Sequence, residues 1–307
     1  MAADTTTTLS NEMMTYYSSR FLERDKDINI HGEGFQKSVH GKYSGKTIRF
    51  NRYAPLSRAT TPLTEASNPP EDNFSTSTVD VTLAEYGKTV RISKLLSLTS
   101  IDKNAAEKIS NLGQNMSDTI DRLNREEMYA GATVKLANGR ASLSLIVDGD
   151  NLTALEVRKV VRDLKKAKAM TYPDGMFLGK IGPDTEFDLM GDATWQNAKI
   201  YSDVKDLYRG EIGSLHKVRF LTVTDQKSET GAGTTTGDAY SNFFHGANAV
   251  GKYDLEGDMP KLYIKTPNSH DTSNPADRYS TISWAGSYAV KTLIPNWIIN
   301  LKTAASA

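Results

Sequence analysis

The segment TSIDKNAAEKISNLGQNMSDTIDRLNREEMYAG, Thr99–Gly131, sets the scale of anything this chain can fold into. Ala105, Ile109, Leu112, Met116, Ile120 and Leu123 recur at steps of three and four residues, the repeat of one helix face. Thr99 or Ser100 suits the N-cap, Gly131 suits the stop, and no proline intervenes. A helix of about 28 residues spans roughly 40 Å, well over twice the mean length. Its single apolar stripe predicts a helix laid across a sheet. A coiled coil would need three or four clean heptads, and these are missing.

Ahead of this helix the sequence predicts two strands around a polar excursion. Thr47–Tyr53 alternates Ile48 and Phe50 with polar residues. SNPPEDNFSTS, Ser67–Ser77, holds paired prolines and acids and no core pattern. In the returning strand Val79, Val81 and Leu83 share a face. After Glu85 the phase passes to Tyr86, Val90 and Ile92, with Gly87 at the break, which predicts a bulge or kink there. A hairpin this long with few apolar groups near its tip needs something to lie on.

The hairpin opens on HGKYSGKTIRF, His40–Phe50, which imitates a phosphate-binding loop through Gly45-Lys46-Thr47. The Walker pattern requires Gly-x-x-x-x-Gly-Lys-Ser/Thr, and the position five before Gly45 is His40. A strand follows where the motif needs a helix N-terminus, so no amide cluster awaits a triphosphate. A P-loop NTPase is the reading from a different class, and it fails on spacing and context.

Composition narrows the classes further. The 307 residues are 38% hydrophobic with a mean hydropathy of −0.48, a thin share for a core. Parts of such a chain must bury their apolar surface against other subunits. Thirty-seven basic residues balance 37 acidic ones, so net charge advertises neither nucleic acid nor membrane. The absence of cysteine removes disulfides, thiolate metal sites and cysteine nucleophiles. MAADTTTTLS has no signal pattern and no run approaches a membrane span, which predicts a soluble protein made in the cytoplasm.

Elsewhere, residues 1–9 read as a polar tail, and Ser10 caps a short helix with Met13, Tyr17 and Phe21 on one face. Residues 26–44 read as irregular connection. A second helix starts at Thr153 with Glu156 in capping-box spacing and buries Val157, Val160, Val161, Leu164 and Ala167. Its other face carries Arg158, Lys159, Arg162, Lys165, Lys166 and Lys168, a pattern that most often means a solvated face and only secondarily a phosphate-binding one. Met176–Ile181 predicts a strand, Gly182-Pro183 a turn, and a helix opens near Asp184. Val218, Phe220 and Val223 mark another strand. Gln226–Ser241 and Thr266–Ser280 read as loops, and Tyr288–Thr303 as a strand-like segment broken at Pro295. Without a regular βαβ beat or a repeat, the class is α+β.

No reaction centre is visible. His31, His40, His216, His245 and His270 are scattered and form no helical metal pair. Asp148-Gly149-Asp150 hints at a calcium loop, but Leu152 and Lys159 occupy ligand slots, so it reads as a turn. Gly210–Gly213 matches a KH loop only in its glycines. The expectation is a non-enzyme with no catalytic, cofactor or metal site and no cofactor.

A family resemblance rests on an ordered set of segments. GKTIRFNRYAPLSRATTPLTEASNP followed by VTLAEYGKTVRIS resembles the long-hairpin region of tailed-bacteriophage major capsid proteins. The helix ending MYAG, then NLTALEVRKVVRDLKKAKA, IGPDTEFDL, GEIGSLHKVRF and PNWIINLKTA, follow in the same order. The resemblance implies the Hong Kong 97-type coat fold: an N-terminal arm over 1–40, an extended loop over 41–94, a peripheral domain with a spine helix over 95–135 and 285–307, and an axial domain over 136–284. It also implies pentamers and hexamers closing an icosahedral shell around double-stranded DNA, with a portal and a decoration protein as partners, in a virion assembled in the bacterial cytoplasm. The tail before the arm helix is short, which implies a separate scaffolding protein. An encapsulin-like shell with protein cargo shares the fold. Near PLTEA the family's carboxylate or glycine gives way to Ala66 and Ser67, so no contact role is carried over there.

Overall fold

The computed structural model describes residues 29–53, 56–65, 68–69, 71–95, 105–200, 211–233, 237–265 and 274–306. The arm helix expected over Ser10–Phe21, the caps at Thr99 and Ser100, Ala66, Ser67 and His270 lie outside the described residues.

The long helix, α1, runs Ala105–Gly131, 27 residues. Ile109, Leu112, Met116 and Ile120 are buried against Ile282, Trp284 and Tyr288, with Leu123, Tyr86, Val90 and Ile92 packed around them. The predicted stripe therefore meets a sheet, and fully burying each such side chain contributes about 1.5–3 kcal/mol. Two polar bonds fix the helix in register on it. Trp284 Nε1 donates to Asn115 Oδ1 at 3.1 Å, and Tyr288 Oη donates to Asn124 Oδ1 at 2.6 Å.

That sheet is built around β13, Tyr279–Thr292. On one flank runs β4, Ala84–Ser93, in unbroken antiparallel register. The sequence placed a bulge at Gly87, and this is corrected: the break between β3, Thr76–Thr82, and β4 falls at Leu83. Gly87 pairs with Ala285 inside the ladder, where a Cβ would stand 2.7 Å from the Trp284 carbonyl oxygen. On the other flank lie β11, Val250–Leu255, and β12, Lys261–Lys265, both antiparallel to β13. Asp254 faces Tyr288 and Lys261 faces Ala285, so β11 and β12 lie along the same side of β13, separated by a loop over 256–260 that crosses Gly286. There a Cβ would lie 2.4 Å from Pro260 Cα. β1, Gln36–His40, adds in parallel to β11, inside a stretch the sequence read as irregular.

A second sheet has the order β5 (Thr133–Leu136), β14 (Ile298–Thr303), β10 (Ala239–His245), β6 (Phe177–Ile181), β8 (Val218–Thr222) and β7 (Glu211–Leu215). β9, Ser228–Glu229, pairs with the start of β10, so the segment read as a loop over Gln226–Ser241 contains strand at both ends. α2 (Ala154–Lys166), α3 (Pro183–Gly191) and α4 (Ala193–Ile200) pack on this sheet. Val157, Val160, Val161 and Leu164 meet Phe177, Ile181, Phe220, Phe244, Ile299 and Leu301 in the largest core cluster. Thr153 caps α2 by accepting from the Glu156 N–H at 3.4 Å. Glu156 itself turns to Lys159 and the Asn138 amide, so the capping box closes on one side only.

Between β7 and β8, His216 and Lys217 have φ of 50° and 69°, the left-handed pair that a two-residue hairpin turn demands. β2, Thr47–Tyr53, pairs with β3 as a separate two-stranded ribbon.

Candidate assembly surfaces

The first described residues, 29–35, are wedged where α1 and both sheets meet. His31 donates its backbone N–H to Asp121 Oδ1 at 2.7 Å, and its Nδ1 lies 2.6 Å from Asp121 Oδ2. The buried Lys180 of β6 donates to the His31 carbonyl at 2.6 Å, and Lys252 of β11 donates to the Gly32 carbonyl at 2.9 Å. Tyr172 Oη donates to the Gly34 carbonyl at 2.7 Å. Phe35 is buried among Met128, Phe243, Val250 and Ile298, with the Lys180 ammonium 4.3 Å from its ring centre. Three backbone carbonyls of this segment, those of His31, Gly32 and Gly34, thus each carry a cation or a phenol.

Burial dominates the protonation of this junction. It pushes His31 down against the raising effect of Asp121, and it holds Lys180 well below the ordinary lysine range. His245, also fully buried, is pushed well down by burial and by the Lys180 charge. Its Nδ1 contacts Tyr172 Oη at 3.1 Å, while its Nε2 has no hydrogen-bond partner among the described residues.

The second surface is the hairpin. Gly45 turns the chain at φ +88°, with His40 Nε2 3.1 Å from its carbonyl, and Leu83 N–H donates to the Lys46 carbonyl at 3.0 Å. Lys46 therefore stands at the root of a strand pair, with a strand where a nucleotide loop would need a helix. Near the root, Ile48 and Phe50 pack on Val81, Leu83, Tyr253 and Ala289, and the Phe50 and Tyr253 rings lie 4.8 Å apart. Arg49 grips Asp80 across the ribbon through two bonds of 2.7 and 2.9 Å. Farther out, Ser57 donates to Asp72 through its amide and hydroxyl at 3.0 and 2.6 Å, closing the excursion on itself. Leu56, Leu63 and Phe74 face water there at 48%, 59% and 72% exposure, and Tyr43 is fully exposed. None of these four side chains belongs to a buried cluster.

The other residues singled out in the sequence are structural. Asp150 closes the turn before α2, accepting from Arg140 Nε at 2.8 Å, Asn138 Nδ2 at 2.6 Å and the Val147 N–H at 3.1 Å. The glycine-containing segment Glu211–Leu215 is strand β7. His31, His40, His216 and His245 lie in different surroundings, and no group of three or more His, Asp or Glu among the described residues stands ready for a metal. No described helix is long and apolar enough to cross a membrane. Outside the expected stripe, α1 carries an ion-pair chain the sequence did not reveal: Arg125 bonds Asp225 at 2.5 Å and Glu126 at 2.8 Å, and Glu126 takes Lys227 at 3.1 Å.

No family model and no curated protein matches the sequence. Solved structures do match the fold. The capsid of Ralstonia phage GP4 is similar with a TM-score of 0.71 at 13% identity, over 89% of this chain and 87% of that one. The capsid of cyanophage P-SCSP1u gives 0.67 at 13%, over 91% and 89%. The capsid asymmetric unit of cyanophage Pam1 gives 0.66 at 18%, over 94% and 93%. The chain has the Hong Kong 97-type phage capsid fold. In this capsid fold α1 is the spine helix, and β2 with β3 forms the extended loop.

Proposed function

We propose that this chain is the major capsid protein of a tailed phage. Its copies form pentamers and hexamers that close an icosahedral shell around double-stranded DNA. The observation that carries this reading is the match to phage capsids along about nine-tenths of the chain. The hairpin supports it independently, since Leu56, Leu63 and Phe74 need a second copy to leave water. Heterologous contacts that close into rings give five- and six-fold units, and many modest contacts acting together outlast any one of them.

On this reading the spine helix with β1, β4 and β11–β13 is the peripheral unit, and α2–α4 with β5–β10 and β14 is the axial unit. Sheet membership supports moving 250–265 and 279–284 from the expected axial span, and 36–40 and 84–93 from the expected arm and loop, to the peripheral unit, and 133–136 and 298–303 from the peripheral span to the axial unit. A separate scaffolding protein, a portal and a decoration protein are the expected partners, with assembly in the host bacterial cytoplasm. The role is structural, and no catalytic residue is assigned.

Electron microscopy of the purified chain tests this. Rings or closed shells are expected; a chain that stays monomeric across salt and crowding conditions overturns it. Nuclease-protected DNA in the particles separates a phage head from a protein-cargo shell.

A further inference from the structure

The exposed face of α2 carries Arg158, Arg162, Lys165 and Lys166, and the tight β7–β8 turn brings His216 and Lys217 to the same place. Together they line an open groove of about 670 Å³ with Val161 among them. Of the α2 carboxylates, Glu156 takes Lys159 at 2.5 Å, outside the groove, and Asp163 takes Lys135 at 3.6 Å and offsets one groove cation, Arg162, at 3.1 Å. Arg158, Lys165, Lys166 and Lys217 are left without an ion-pair partner among the described residues. Helix-end lysines are ordinary near a helix C-terminus, where they favour the dipole. Two basic residues arriving from a different element, on a turn of left-handed backbone, are not explained that way.

His216 registers the field in the groove. Burial lowers its affinity for a proton, Arg158 lowers it further, and Asp192 opposes both. The shape of the charge selects the ligand. Arg158 to Lys166 extends about 12 Å along the helix, over which one nucleic-acid strand presents a charge roughly every 3.4 Å of its axis. The groove is open along this row and does not converge on a single small anion.

We propose that this groove binds the phosphodiester backbone of nucleic acid through charge alone, without reading base sequence. The proposal rests on the capsid reading for its setting, in which it turns the helical face of the seven-stranded sheet toward packaged DNA. Phosphate contacts of this kind position a polyanion and carry no sequence information.

The test uses the full-length chain and a short fluorescent DNA duplex, with anisotropy followed as salt rises from about 50 to 200 mM. Four contacts predict a loss of affinity of roughly 10²-fold over that range. The variant Arg158→Gln/Lys165→Gln/Lys166→Gln keeps helix-forming side chains and lowers the slope of log affinity on log salt by about 0.9 per cation removed. Lys37→Gln/Lys88→Gln/Lys261→Gln removes as many exposed cations from the other sheet and leaves the slope unchanged. Equal slopes in the two triple variants, or no duplex binding at low salt, overturn the proposal. So does poly-glutamate competing better than a duplex of equal charge, which would make the groove a site for an acidic protein. Microscopy of the same samples keeps the two readings apart. Intact shells with an unchanged slope remove the groove and leave the capsid function, whereas no shells from the unsubstituted chain remove the capsid function whatever the DNA result.

Discussion

The imidazole Nδ1 of His31 lies 2.6 Å from the Asp121 carboxylate, and the His31 backbone amide donates to the same carboxylate at 2.7 Å, across 90 residues of chain. One side chain on the spine helix thus holds two buried donors of the first described segment. Asp121→Ala leaves both without an acceptor, at a cost of about 2–4 kcal/mol. Urea unfolding should show the loss as a lower midpoint, and trypsin should cut faster at Lys37 before global unfolding. An unchanged midpoint with unchanged cleavage would mean that water replaces the carboxylate and the junction is not tight.

The same junction sets a pH dependence. His31 and His245 are both pushed below their ordinary value of 6.5, burial being the largest cause for each. A base with a lowered folded pKa binds fewer protons folded than unfolded. Its stabilising effect is therefore complete above 6.5 and declines as pH falls from there toward the folded value. Lys180, lowered by burial, acts in the same direction at higher pH. Unfolding free energy should fall between pH 7 and pH 5 by up to about 1.4 kcal/mol per pH unit for each proton taken up. His245→Gln should flatten part of that slope, and a wild-type profile that is level over this range would count against two buried neutral imidazoles.

The spine helix was legible in the sequence because its partner is a sheet and its stripe had to be apolar. β10 was hidden for the opposite reason. Its sequence, AYSNFFH, buries Ser241, Asn242 and His245 as completely as its phenylalanines. Asn242 accepts from Thr185 and Gln226 and donates to Thr303 and the Leu301 carbonyl, so its amide is satisfied inside and the alternation that reveals a strand is lost. Lys180 in β6 hides in the same way. At the candidate surfaces, the row of cations on α2 was visible, but the arrival of His216 and Lys217 was not, since the turn between them carries no glycine or asparagine to announce it.

Gly286 is required by the loop over 256–260 that joins β11 to β12. A methyl group there would stand 2.4 Å from the Pro260 backbone, which has no flexible end to move away. Gly286→Ala should destabilise the subunit by about 1–3 kcal/mol, the range for forcing volume into a packed site. Gly149→Ala, where a Cβ meets nothing within 4 Å, is the matched control and should leave the thermal midpoint in place. Equal midpoints for both variants would show that this loop can shift.

The extended hairpin separates folding from assembly. Its root belongs to the core through Phe50 and Tyr253, whereas the part beyond Ser57 and Asp72 presents Leu63 to water and contributes nothing to either large cluster. Because the Ser57 amide lies 3.0 Å from the Asp72 carboxylate, the chain ends flanking 58–71 are close enough for a short glycine linker to replace that stretch. The shortened chain should keep the thermal midpoint of the full subunit and fail to close shells, giving rings or open sheets in micrographs. Loss of the folded subunit instead would put the excursion in the core. Normal shells would mean that the exposed apolar residues of this stretch have no neighbour, leaving the interface to Tyr43, Leu56 and Phe74 alone.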